Sequence, residues 1–379
     1  MELRAITDDE VPAFRDCVMT TFGEEGDADP DGDRRIRALL PVSQMWGMFD
    51  RGTIVGAAGA FDLRIGMPGG GSLPCYGLTM VAVRPTHRRR GILSQLIARF
   101  FDDAHARGYA MTGLWASEAV IYGRFGFGTA AWSDAIEVTA AHQLAIAGAG
   151  DMPEWIDEAR AREVLPGIYE RATATRPGVL RRDPVWWRER RFLEGPFHRK
   201  GASRRRHVLV VRDGAPTGYV AYRQRPAFTD GRPSGRTEII ELFGVDTRAT
   251  ASLWAYVCSI DLFPSVAWSN APIDEPLVHL ASDVRRIARR RSDALWLRFE
   301  DVRAVLAARG FDDSVALRVD DGTFGHGPEI AVAPKALPAL VMGGARATEL
   351  AQAGLVTGDV MAAERAFTTP VAAWCPEIF

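Results

Sequence analysis

The stretch from Leu78 to Gly108, LTMVAVRPTHRRRGILSQLIARFFDDAHARG, restricts the fold more than any other part of the chain. Leu78 to Val83 is an apolar run of strand length that ends in β-branched residues. A basic turn, Arg84 to Gly91, follows. Beyond it Ile92, Leu93, Leu96, Ile97, Phe100, Phe101 and Ala104 recur at helical spacing, and Gly108 is placed to close the helix. The order is strand, basic glycine-ended loop, then an amphipathic helix with an exposed N-terminus. Such a terminus leaves several backbone N–H groups unpaired under the positive end of the helix dipole. With Arg88, Arg89 and Arg90 beside it, the natural ligand is a multiply charged anion, above all a pyrophosphate. Gly91, lacking a Cβ, lets the backbone come close to phosphate oxygens. A solvated basic turn is the competing reading. A Walker-type phosphate loop is excluded, because no Gly-Lys-Ser/Thr follows.

A chain of 379 residues has room for two or three domains, each with its own core. Its net charge is only −2, so the arginine clusters are balanced locally, which argues against nucleic acid as a partner. Lys200 and Lys335 are the only lysines, so the basic charge is nearly all arginine. Cys17, Cys75, Cys258 and Cys375 are scattered without CxxC spacing and read as reduced, buried thiols rather than a disulfide frame or zinc site. No metal-binding cluster and no Ser/His/Asp arrangement is visible. The first residues carry no apolar signal region, and no apolar run approaches the ~18 residues of a membrane span. A soluble, cytoplasmic protein is expected.

Along the chain, Leu3 to Ile6 reads as a strand, and Thr7-Asp8-Asp9-Glu10 opens a helix through Val11, Phe14 and Val18. Gly23 to Asp33 is the most acidic segment, with Glu24, Glu25, Asp27, Asp29, Asp31 and Asp33. It fails as a calcium loop, since Ala38 stands where the closing Glu is needed. It is a solvated loop or a funnel for a cationic amine. Met45 to Phe49 and Thr53 to Phe61 form two strands about Asp50-Arg51-Gly52, and Met111 to Ala116 forms another. Ser117-Glu118 ends that strand, and a short helix carrying Tyr122 and then Phe125-Gly126-Phe127 follows.

Arg88-x-x-Gly91 resembles the acetyl-CoA loop of the GNAT acetyltransferases, although Leu93 stands where the family has a small residue. The order of strand, basic loop, helix, strand and Tyr-bearing turn resembles the same superfamily. VAVRPTHRRRGIL, SEAVIYGRFGFG and an apolar tail ending in Phe379 together resemble the enhanced intracellular survival (Eis) family. That resemblance implies an α/β (α+β) chain of two tandem GNAT domains and a C-terminal sterol-carrier-like domain, assembled as a homohexamer. The divisions expected are 1–145, 146–282 and 283–379. In the second, Thr237 to Gly244 and Ala251 to Phe263 repeat the strand and helix, while Gly244 to Thr250 lacks the arginine block and the glycine before the helix. No CoA is expected there. Asp283 to Arg291 reads as a basic helix with a solvated or subunit-facing surface.

The resemblance implies acetyl-CoA as co-substrate. The backbone of Val81, Ala82 and Val83 would hold the pantetheine arm. Arg88, Arg89, Arg90, Gly91, Ile92, Leu93 and Ser94 would hold the pyrophosphate, with Ser117 and Glu118 beside the arm. Tyr122 would be the general acid and the carboxylate of Phe379 the general base. Phe22, Glu24 and Glu377 would face the amine, an aminoglycoside-like polyamine or a protein lysine. The family's acidic penultimate residue is Ile378 here. His87 reads as structural. Two other classes stand beside the enzyme: a non-catalytic acyl-CoA sensor, and a lipid-binding protein centred on the C-terminal domain.

Overall fold

A computed structural model describes residues 1–24 and 29–379. Glu25 and Asp27 of the acidic segment lie outside the described residues. The N-terminal region runs β1 (Glu2–Ala5), α1 (Val11–Thr21), α2 (Gly32–Leu39), β2 (Met45–Asp50), β3 (Thr53–Gly66), β4 (Ser72–Val83), α3 (Ile92–Ala106), β5 (Met111–Trp115), α4 (Ala119–Tyr122) and β6 (Gly128–Thr129). The strands and helices expected from the sequence up to Tyr122 are found. The strand before the basic loop begins earlier, at Ser72, because Pro74 is tolerated in its first residues.

The chain packs as two compact units that are not consecutive stretches. One comprises Met1–Ala131, Pro177–Arg191 and Asp293–Phe379, the other Trp132–Arg176 and Phe192–Ser292. Packing therefore departs from the linear division at 145 and 282. The reason is hydrogen bonding: Leu295–Phe299, expected in the last domain, pairs antiparallel with β5 along its whole length. The first sheet has the order β1, β2, β3, β4, β5, Leu295–Phe299, β6, and its one parallel pair is β4 with β5. The second unit carries its own seven-stranded sheet, in which Arg236–Gly244 and Ser265–Pro272 run parallel. There Trp132–Val138 takes the place beside Ser265–Pro272 that Leu295–Phe299 takes beside β5.

Ile287–Asp293 is a strand, where a basic helix had been expected. Arg289 and Arg291, two residues apart, both grip the buried carboxylate of Asp134, at 2.8 and 3.1 Å. Residues that far apart share a face only in an extended chain. In the first unit, four further strands (Gly322–Phe324, Ala316–Val319, Glu329–Val332 and Val356–Gly358) form a small sheet.

The helix α3 lies on the first sheet through Ile92, Leu96, Ile97, Phe100 and Ala104, all buried, against Tyr76, Leu78 and Trp46. Each large side chain so buried contributes about 1.5–3 kcal/mol. The opposite face of β4 packs differently: Cys75, Leu63 and Phe379 belong to a second apolar cluster that continues into the C-terminal residues.

Candidate active site

The two central strands of the first sheet part company. β4 and β5 are paired only over Tyr76–Thr112, Gly77–Gly113 and Leu78–Leu114. Immediately beyond, β4 carries a bulge: Ala57 opposes Ala82 but Gly59 opposes Thr79, so Met80 and Val81 face a single residue of β3. Met80 has φ +53°, a strained value for a side-chain-bearing residue that costs on the order of 1–3 kcal/mol. After the bulge Arg84 donates its N–H to Val55 O at 2.9 Å. By strand alternation Ala82 also faces β3, and Val81 and Val83 turn their N–H and C=O groups to the gap. Ala82 was expected among the cofactor-holding residues; it is buried and points inward instead.

Beyond the fork the basic loop is built as a cradle. Arg89 has φ +62° and Gly91 φ +76°, so the chain turns sharply before the first helical residue. The N-terminus of α3 has no side-chain cap. A Cβ at Gly91 would meet nothing closer than Gln95 Nε2 at 4.0 Å, so the glycine serves the backbone conformation. Arg88, Arg89 and Arg90 are exposed and join no ion pair among the described residues. Their neighbours are spent: Arg84 bonds Ile54 O at 3.0 Å and Asp16 at 2.8 Å, and His87 sits 3.2 Å from Asp50. His87 is thus structural. Ile92 buries its side chain against Gly56, so it can offer an anion only its N–H. Leu93 is half-buried and Ser94 exposed.

Tyr122 ends α4 and is 5% exposed, edge-on to Phe127 with ring centroids 6.3 Å apart. Burial raises its pKa above the ordinary tyrosine value; a hydrogen bond from Ser117 pulls the other way, and the charge of Glu118 adds to the rise. Ser117 and Glu118 are exposed. The turn behind Tyr122 is pinned by Arg298, which donates to Phe125 O at 3.0 Å, lies 4.0 Å over the Phe101 ring and reaches Glu300 at 3.3 Å. Sequence reading missed Arg298, because its strand is far away in the chain; it also missed the Met80 bulge, which has no glycine to signal it.

Phe379 is buried, and its ring lies over Gly77, one residue before the strands part. Glu377 is not where an acceptor could meet it. Its side chain has no exposed surface and is bonded to Arg182 at 2.5 Å and Arg191 at 2.8 Å. Burial alone would raise its pKa, but Arg182, Arg191 and Arg190 outweigh that and hold it well below the carboxylate range. Ile378, by contrast, is exposed. Phe22 is an exposed C-cap of α1 and Glu24 is half-buried. Among the described residues of the acidic segment, Asp29 pairs with Arg15 and Arg35, Asp33 with Arg15 at 3.3 Å, and Asp31 with Arg34 at 3.7 Å.

Similarity to known proteins agrees with this geometry. Residues 2–130 and 178–306 each match an acetyltransferase (GNAT) domain, and residues 316–376 match a sterol carrier protein domain. An uncharacterized N-acetyltransferase of Streptomyces avermitilis is 32% identical over 100% of this chain and 99% of its own length. The N-acetyltransferase Eis of Mycobacterium tuberculosis is 35% identical over 71% of this chain and 67% of its own. The chain belongs to the Eis family of GNAT N-acetyltransferases. The crystal structure of Eis1 from Mycobacterium abscessus superposes with a TM-score of 0.83 at 28% identity, covering 100% of both chains.

GNAT acetyltransferases use acetyl-CoA, and the residues at the first fork fit it. An open strand edge suits the amide-bearing arm, and an uncapped helix with three free arginines suits the pyrophosphate. The second GNAT unit is built otherwise. Its corresponding helix, Thr247–Cys258, is capped by the Asp246 carboxylate, which accepts from Ala249 N–H at 2.8 Å. Arg212 holds that carboxylate at 2.9 Å. A negative charge thus occupies the place a phosphate would need.

Proposed function

We propose that this Eis-family enzyme transfers the acetyl group of acetyl-CoA to a primary amine at the fork between β4 and β5, with Tyr122 as general acid and the Phe379 carboxylate as general base. The fork carries the reading: an unpaired strand edge at Val81 and Val83, an uncapped, arginine-lined helix start that follows β4, and a buried tyrosine on the short helix that follows β5. Acetyl-CoA, when bound, supplies the thioester carbonyl; the remaining work falls to this chain's side chains and backbone.

Backbone groups of Val81 and Val83 would align the pantetheine arm as an added strand. Arg88, Arg89, Arg90 and the N–H groups of Gly91 to Ser94 would hold the pyrophosphate, with Ser117 and Glu118 along the arm. The N–C bond forms as the C–S bond breaks. The ammonium of the acceptor gives one proton to the Phe379 carboxylate, directly or through one water; Tyr122 gives its proton to the departing sulfur, and the phenolate left behind takes the second N–H proton as the amide forms. A tyrosine titrates near ~10 and a thiol near ~8.5, so the transfer to sulfur is mildly uphill; burial of Tyr122 keeps its proton in place until the thiolate appears.

Phe22 and Glu24 are proposed to stand on the acceptor side. Glu377 is buried, and Asp29, Asp31 and Asp33 already have arginine partners, so these four carboxylates are not free to hold a polycation. Simple primary amines and lysine side chains are favoured over aminoglycoside-like polyamines. The test is CoA thiol release from acetyl-CoA with monoamines, polyamines and a lysine peptide, for wild type and Tyr122→Phe. Turnover by wild type with a loss of ~10²-fold or more in the variant supports the assignment. Binding of acetyl-CoA without release for any amine would make the protein a sensor.

A further inference from the structure

A piece of chain from the middle of the sequence holds the C-terminal tail. Residues 177–191 pack with the first unit although they lie at the start of the second GNAT match. They run back along β3: Gly178 N–H donates to Gly66 O at 2.8 Å, Gly66 N–H to Val179 O at 2.7 Å, and Arg181 N–H to Arg64 O at 2.8 Å. The same strap takes the tail from the other side. Trp374 N–H donates to Pro177 O at 2.9 Å, and a Cβ at Gly178 would stand 2.9 Å from Trp374 O. Arg182 and Arg191 hold the two carboxylate oxygens of Glu377, and the Arg190 guanidinium donates to Ile378 O. Cys375 Sγ donates to Glu377 O at 3.3 Å.

A buried ion pair is a poor stabiliser, because removing both charges from water offsets most of their attraction. What it supplies is direction, since planar guanidinium donors fix the carboxylate plane. Here that direction is imposed one and two residues before Phe379, while the strap itself is registered on β3 of the sheet that forks. We infer that Arg182, Arg190, Arg191 and Glu377 are positioning residues that aim the Phe379 carboxylate at the fork. They act through the backbone of residues 377–379. The inference rests on that carboxylate being the base.

The test compares kcat, the KM for acetyl-CoA and the melting temperature for Arg190→Ala, Arg190→Lys and the double variant Arg182→Met/Glu377→Met, beside a Phe379 deletion. Arg190→Ala leaves the bonds of Glu377 to Arg182 and Arg191 intact, so it keeps a folded protein available; the double variant takes the carboxylate from Arg191 as well, so its kcat is read only where its melting temperature shows it folded. Misaiming the base is expected to lower kcat by ~10-fold or more in both, with KM for acetyl-CoA within ~2-fold of wild type. Arg190→Lys, which keeps a donor, should recover part of the loss. Wild-type kcat in folded Arg190→Ala and double variants, with the Phe379 deletion inactive, would overturn the positioning role while leaving the base in place. Full activity in the Phe379 deletion would remove the base itself, and this inference with it.

Discussion

The ring of Phe379 rests on Gly77: a Cβ built there would stand 3.1 Å from Phe379 Cε2 and 2.5 Å from Leu63 Cδ1. Residue 77 is bare because the C-terminal ring needs the space one position before the strands part. Gly77→Ala should therefore displace both Leu63 and Phe379. Overpacking of this kind costs about 1–3 kcal/mol, readable by urea unfolding. Turnover should fall further than acetyl-CoA binding, because the shifted ring carries the proposed base.

The arginine cradle predicts a binding defect that salt can imitate. Replacing Arg88, Arg89 and Arg90 by Ala should raise the KM for acetyl-CoA by ~10-fold or more while leaving kcat nearly unchanged. Raising ionic strength should weaken wild-type binding and alter the triple variant much less, since exposed charges are screened within about 10 Å at 0.1 M salt. Isothermal titration at two salt concentrations reads both effects. It should also count one acetyl-CoA per chain, because Asp246 occupies the helix end of the second unit.

Glu377 links the tail to pH. Its folded pKa lies below the ordinary glutamate value, so its contribution is present above that value. Stability is lost as pH falls below it toward the depressed folded value. Denaturant unfolding of wild type should weaken over that acidic window, and Glu377→Gln should be less stable at neutral pH but flatter there.

Glu275 runs in the opposite sense. Burial pushes its carboxyl up to about 7, although the Trp254 indole donates to it at 2.7 Å and Arg289 is near. A raised carboxyl favours folding fully below the unfolded value of 4.5 and loses that contribution as pH rises through about 7. The loss is on the order of 3 kcal/mol. Tryptophan fluorescence should titrate near neutrality, and the transition should vanish in Glu275→Gln.

How much of this was legible in the sequence follows the range of the interactions. The strand, arginine loop and helix from Leu78 to Ala106 were readable because their periodicities and glycine are local. So was Tyr122, set by its neighbours. The bulge at Met80 was not, because strain held by β3 leaves no mark on residue type. Arg298 and the strap arginines act across long stretches of chain, so no spacing betrays them. Glu377 looked like a substrate carboxylate because it is acidic and near the end; only packing reveals that Arg182 and Arg191 consume it. The basic run at Asp283 to Arg291 looked helical because Asp134, the partner that makes Arg289 and Arg291 a strand pair, is far off in sequence.

The central claim is that the Phe379 carboxylate takes the acceptor proton at the fork between β4 and β5. The most direct measurement is turnover by a semisynthetic enzyme whose Phe379 ends in a carboxamide, which keeps the ring on Gly77 and removes only the charge. Acetyl-CoA should bind as in wild type while kcat falls by ~10²-fold or more across pH. Wild-type kcat in the carboxamide would contradict the account.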